Sequence, residues 1–399
     1  LNLNITLLCD HNINTKPRSS RLLELLSKIA ATSHHIIRIN VISKDCQSLS
    51  FTDSMQTTLF SFPPDKSSKQ RTKEENDAIL ELCKKGDFMP LIFTPNRKAI
   101  TKILNSLPLQ NLLIVEDITL LPFACEYKSN NPQCKILIDL REFYPLEYEN
   151  DTQWIQGLGR FFTFLCETYL HRIDFALSVS NGLCERYKKD FHIPCELFLS
   201  LPPLYEASPS PTQEKIKILY HGFISPDRSS MELLELGKLL KQTPFSLHIM
   251  ALSNQKGFLE SFSQQAKSIS SLQILQPVAM QDIIPTSLEY DIGLIPFKPT
   301  TFNLAHCMPN KLFEYLQARL AILSTPLEDI AHFVRTHQCG IISNGFKSSD
   351  IVQTLTSCTK DDINRLKYNA HLAAQQWHLD MNLEILKNVL GDVLRIKIE

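Results

Sequence analysis

Short, almost uncharged apolar runs alternate with amphipathic stretches along this chain, and the pattern occurs twice with a break between. LNITLLC (3–9) reads as a buried strand, RLLELLSKIA follows with apolar positions 22, 23, 25, 26 and 29 at helical spacing, and HHIIRINVIS reads as a second strand. PLIFT (90–94), NLLIVED (111–117), CKILIDL (134–140) and FALSVS (175–180) continue the series. Such alternation predicts an α/β fold whose parallel sheet is covered on both faces. Around residue 200, LSLPPLYEASPSPTQEK carries four prolines in seventeen residues, the composition of a linker. The pattern then restarts with IKILYHG (216–222), FSLHIMAL (245–252), SLQILQPV (271–278), YDIGLIP (290–296) and LAILST (320–325). Two successive domains are expected, 1–203 and 204–375, with 376–399 as a C-terminal helix that crosses back to the first. The polar stretch 61–77 is expected to be a loop or a helix entry.

The 399 residues suffice for two domains, and 43% hydrophobic with 21% charged residues excludes broad disorder. A net charge of −1 gives no field to hold a polyanion, so nucleic acid is not an expected partner. Charge is nevertheless uneven: residues 1–102 hold 15 Lys/Arg against 10 Asp/Glu, and residues 103–203 hold 8 against 13. Eleven cysteines, an odd number with no CxxC pair, disfavour zinc and disulfide frameworks and suit reduced core thiols in a cytoplasmic protein. No stretch of 18 uncharged apolar residues occurs, so a membrane-spanning chain is not expected.

Ligands of open α/β sheets bind at the carboxyl ends of strands, and two segments there carry suitable chemistry. In HGFISPDRSSMELLELGKLL a strand ends at Gly222, a short loop carries Arg228, and a helix begins near Ser229 or Ser230; free N–H groups with an arginine make a phosphate site. The GxxxxGK[ST] spacing and GxGxxG are both absent. In MPNKLFEYLQARLAIL, Pro309 and Asn310 mark a helix start and Leu312, Phe313, Leu316 and Leu320 its buried face. Lys311 and Glu314, three apart, project from one side, where an ammonium can meet a phosphate and a carboxylate can accept two ribose hydroxyls. The plain alternative for that pair is a surface ion pair.

With IDLREFYP (138–145), IDFALSVSNGL (173–183), YHGFISPDR (220–228), YDIGLIP and PNKLFEY in this order, the chain resembles the family 4 glycosyltransferases. The resemblance implies a GT-B fold of two facing Rossmann-like domains and a retaining, metal-independent hexosyltransferase with no cofactor beyond a UDP- or GDP-type nucleotide sugar as donor. By position it assigns Arg228 and Lys311 to the donor diphosphate and Glu314 to the ribose. Gly222, Phe223, His306, Pro309 and Asn310 complete the donor site, while Asp117 and Glu142 lie on the acceptor side. The implied acceptor is a glycan or lipid-linked glycan, as in bacterial-type surface polysaccharide or lipopolysaccharide assembly. Peripheral contact with an anionic membrane at its inner face would suit such an acceptor. The basic residues 66–73 fit that contact, and so does RFFTFLCETYLHRI (160–173), where Phe161, Phe164, Leu165 and Thr168 share a stripe.

Three positions depart from the family pattern. His306 stands eight residues before Glu314, where many relatives have a glutamate. Arg141 replaces a histidine, and Arg319 replaces the glycine after the PNK helix. The alternatives are a GT-B sugar-nucleotide epimerase and a catalytically silent nucleotide-binding scaffold subunit.

Overall fold

The computed structural model describes residues 1–50, 57–226 and 230–398. It separates into two compact units: Leu1–Ser200 with Thr300–Asn303 and Asp380–Glu399, and Leu201–Pro299 with Leu304–Leu379. The first is built on seven parallel strands, β1 (Asn2–Cys9), β2 (Ile36–Lys44), β3 (Thr57–Phe62), β4 (Leu112–Val115), β5 (Lys135–Leu140), β6 (Phe175–Ser178) and β7 (Cys195–Leu197), in the order β3-β2-β1-β4-β5-β6-β7. In the second, β8 (Ile216–Phe223), β9 (Phe245–Leu252), β10 (Leu272–Leu275), β11 (Ile292–Ile295), β12 (Ala321–Ser324) and β13 (Gly340–Ile342) run β10-β9-β8-β11-β12-β13. Every strand pair in both sheets is parallel. Strand order reverses direction at β1/β4 and at β8/β11, and those are the points where such sheets open a crevice at their carboxyl ends.

β4, β11 and β12 are buried at all four positions, as strands covered on both faces must be. PLIFT is not a strand: Pro90 stands at the start of a single helical turn, Met89–Ile92, where its missing N–H costs nothing. β3, β7 and β13 escaped the pattern because they are edge strands; in β3 Phe62 alone is fully buried. Of the 61–77 stretch, Ser61 and Phe62 close β3, and the loop that follows leads into a helix at Lys73. Thr72 accepts from Glu75 N and Glu75 reaches back to Thr72 N, opening the helix Lys73–Lys85.

The aromatic stripe of the helix Arg160–Tyr169 faces inward. Phe161 and Leu165 belong to the first core, and Phe164 packs against Phe88 at 4.7 Å between centroids. Nine of the eleven free cysteines are buried. Among the described residues no helix is long and apolar enough to cross a membrane.

Candidate functional site

At the switch point of the second sheet, the penultimate residue of β8 is Gly222, whose φ of +123° disfavours any side chain. A Cβ at this position would lie 3.2 Å from Lys311 Nζ, so glycine also makes room for the ammonium. Lys311 comes from the first turn of the helix Asn310–Gln317, opened by Pro309 as an extended N-cap. Its Nζ lies 4.0 Å from the Tyr220 ring centre and 5.0 Å from that of Phe297, and these faces favour a cation. One turn on, Glu314 is 5% exposed, with Oε2 3.3 Å from His221 Nε2. That proximity is not an aligned hydrogen bond, because Nε2 has no partner in bonding geometry. Burial first, then the Lys311 charge, pulls the His221 pKa down to about 3, so the imidazole is neutral beside the carboxylate.

The structure thus brings Gly222, Lys311 and Glu314 together, and Phe223, 43% exposed, follows at the strand tip. Arg228 lies in 227–229, outside the described residues. The same Tyr220 and Phe297, with Ser230, Glu232, Phe346 and Ser348, line a cavity at the strand ends, where the helices Met231–Leu239 and Ser348–Thr356 begin. His306 Nδ1 lies 2.8 Å from Asp329 Oδ2, and its Nε2 lies 3.7 Å from Glu328 Oε2. Arg319 takes the left-handed conformation, with φ +63°, and is 1% exposed. Its guanidinium donates to the carbonyls of Tyr205, Ala207, Leu316 and Gln317, which offsets the strain.

In the first unit, Asp117 follows β4 and caps a short turn, accepting from Thr119 N at 2.9 Å and Thr119 Oγ1 at 2.7 Å. Arg141 lies 3.6 Å from Asp117 Oδ2 and donates to Glu116 O, so it stands at the strand ends as a charge partner. Glu142 follows it; its carbonyl accepts from Tyr187 Oη at 2.6 Å.

Sequence reasoning missed the groups packed behind these. Arg97 donates to Asp10 at 2.8 Å and to Thr119 Oγ1 at 3.1 Å. Glu116 is fully buried, and burial raises its pKa. Glu147, which shares no motif with the rest, has its carboxyl pushed up to about 7 by burial and by the charges of Glu142 and Asp117. His11 Nε2 lies 2.7 Å from Ser19 Oγ and 3.5 Å from Glu116 Oε2. This is not a nucleophilic triad: both contacts fall on one nitrogen and Ser19 is fully buried. Only spatial proximity exposes these groups, since they come from four separate segments.

No family model matches the chain, and no curated protein does. Solved structures match over nearly its whole length. Sucrose-phosphate synthase from Thermosynechococcus elongatus superposes with a TM-score of 0.71 at 9% identity, covering 98% of this chain and 99% of its own. HepE of Anabaena in complex with UDP gives 0.67 at 12% identity over 98% and 100%. The E. coli trehalose-6-phosphate protein bound with UDP-2-fluoro glucose gives 0.66 at 12% over 99% and 100%. The family 4 resemblance is overturned: the matching folds are of the trehalose- and sucrose-phosphate synthase type, and the short motifs that suggested family 4 are not backed by any family model. What the likeness establishes is the architecture, and the chain has the GT-B fold of two Rossmann-like parallel-sheet domains.

Proposed function

We propose that the protein is a glycosyltransferase that moves a hexose from a nucleoside diphosphate to an acceptor hydroxyl. The observation that carries this reading is the convergence of one helix on the end of β8 at the switch point of the second sheet, Lys311 against Gly222 and Glu314 against His221. Breaking the bond between the anomeric carbon and the β-phosphate oxygen leaves the electron pair, and growing negative charge, on the diphosphate. Lys311, with its ammonium at the strand tip, stabilises that charge more as it develops. Arg228 is the second proposed cation, from its place in the sequence shortly after β8. Glu314 is proposed to accept the ribose hydroxyls, with neutral His221 adding no competing charge.

Phe223, Pro309, Asn310 and His306 complete the proposed donor site; Asp117 and Glu142 are proposed for the acceptor side. A retaining, metal-independent transfer fits this set, the leaving phosphate oxygen taking the acceptor's proton as the new C–O bond forms. The fold neighbours in complex with UDP, UDP-glucose and UDP-2-fluoro glucose support a UDP donor, with GDP as the variant to compare. A glycan or lipid-linked acceptor remains the proposed partner, with peripheral contact through the basic 66–73 segment. Calorimetric titration with UDP and GDP, then NMR of products from UDP-hexoses and oligosaccharides, tests the reading. An α-configured product from an α-donor supports retention, whereas a new epimer without acceptor points to an epimerase.

A further inference from the structure

Between β5 and the helix Arg160–Tyr169 the first unit carries a row of aromatic rings that the donor site does not use. Tyr144, 4% exposed, stacks on Phe162 at 5.9 Å and 15°; Phe162 stacks on Trp154 at 5.9 Å and 20°; Tyr148 meets Trp154 edge-on at 5.6 Å. The row runs from the core to the surface, where Tyr148 is 57% exposed. Its outer end is held rigidly. Asp151 accepts from Gln153 N and Trp154 N, and a π-helical turn, Ile155–Gly159, follows. At Gly159 a Cβ would lie 2.9 Å from Trp154 Cζ3, so the indole rests directly on glycine backbone. Rings fixed in this way lose little freedom when a ligand lands on them.

Charge narrows the occupant. From 142 to 159 the chain has no lysine or arginine and four acids, Glu142, Glu147, Glu149 and Asp151. Arg141 and Arg160 bound this stretch, and within it a phosphorylated ligand or anionic headgroup meets no cation. A neutral sugar ring fits it: one face of a pyranose is lined with C–H bonds that lie against an aromatic ring, and its hydroxyls bond to carboxylates and amides. Exposed Gln153 and Gln156 supply amides on the same stretch.

We propose that Tyr148 and Trp154 form a platform for a neutral sugar ring, with Gln153, Gln156 and Glu147 as hydroxyl partners; assigning that sugar to the acceptor rests on the transferase reading. The platform follows β5, close in sequence to Arg141 and Glu142 at the carboxyl end of the sheet. Glu147, titrating near neutrality, accepts from a hydroxyl when ionised and donates to one when protonated.

Saturation-transfer NMR on the full chain tests this, with maltotriose, cellotriose and mannotriose as neutral probes and choline and anionic vesicles as controls. At least one trisaccharide is expected to show saturation of its ring C–H protons. The signal should fall at least fivefold in Tyr148→Ala and Trp154→Ala and persist in Trp154→Phe. Tyr148→Ala, at an exposed site, should melt like the native protein, which keeps the test independent of folding. No saturation of any trisaccharide, an unchanged signal in Tyr148→Ala, or stronger contact with choline or vesicles than with every trisaccharide would overturn the proposal. UDP calorimetry on the same variants separates the two readings. Unchanged UDP affinity in Tyr148→Ala is expected, whereas no UDP binding to the native protein counts against the transferase and leaves the trisaccharide result standing.

Discussion

Gly222 and Lys311 show how one backbone angle sets a charge in place. With φ at +123°, position 222 disfavours any side chain, and a Cβ there would also crowd the Lys311 ammonium at 3.2 Å, which would have to give by a few tenths of an ångström. Lys311→Ala should weaken nucleoside diphosphate binding by about 1.5–3 kcal/mol, the range for hydrogen bonds to charged groups, as read by calorimetry. Glu314→Gln should narrow the preference for UDP over 2′-deoxy-UDP, since the carboxylate is assigned to the ribose; an unchanged preference removes that assignment. His221 carries a pH signature. Its folded pKa of about 3 lies below the ordinary 6.5, so the unfolded chain binds the extra proton between those values. Its contribution to stability is present above pH 6.5 and is lost as pH falls toward 3. Scanning calorimetry should find that His221→Asn flattens the acid side of the melting curve against pH.

At the scale of elements, the helix Asn310–Gln317 was legible because PNKLFEY combines a proline start, a polar first turn and an apolar face at helical spacing. Its end was harder to read. Arg319 carries a Cβ where the turn needs positive φ, and what holds it there are carbonyls of Tyr205 and Ala207, more than a hundred residues away in sequence. Arg319→Gly should lower Tm because those bonds are lost, and Arg319→Ala should lower it further, because the left-handed strain of about 1 kcal/mol stays. An Arg319→Ala variant as stable as the native chain would show that the guanidinium contributes nothing, because alanine keeps the strain and loses only the bonds. The same distinction explains β3, β7, β13 and the Asp10–Arg97 and Glu147 groups. Local period reveals central strands, whereas edge strands and charge clusters are defined by neighbours distant in sequence. PLIFT failed for the converse reason, an apolar run too short for period to separate strand from helical turn.

For the whole molecule, two parallel sheets reversing at β1/β4 and β8/β11 give two places to hold ligands, and the observed chemistry differs between them. The second concentrates a lysine, a glutamate and a neutral histidine; the first gathers paired acids and bases at its strand ends, followed by an acidic aromatic loop. If the basic residues 66–73 meet an anionic bilayer, sedimentation with anionic vesicles at low salt should be lost by about 0.5 M NaCl, as screening shortens the reach of each charge. Equal retention on neutral vesicles would contradict that contact. The proposed charge stabilisation by protein groups also predicts that turnover survives excess EDTA; loss on chelation with rescue by Mg²⁺ would show otherwise.

The most direct test is calorimetric titration of the native protein and Lys311→Ala with UDP and GDP. Saturable one-site binding of at least one nucleotide by the native chain, weakened tenfold or more by the substitution, is the predicted result. Binding of neither nucleotide, or equal affinity in both proteins, would contradict the assignment of a nucleoside diphosphate to the carboxyl edge of the second sheet.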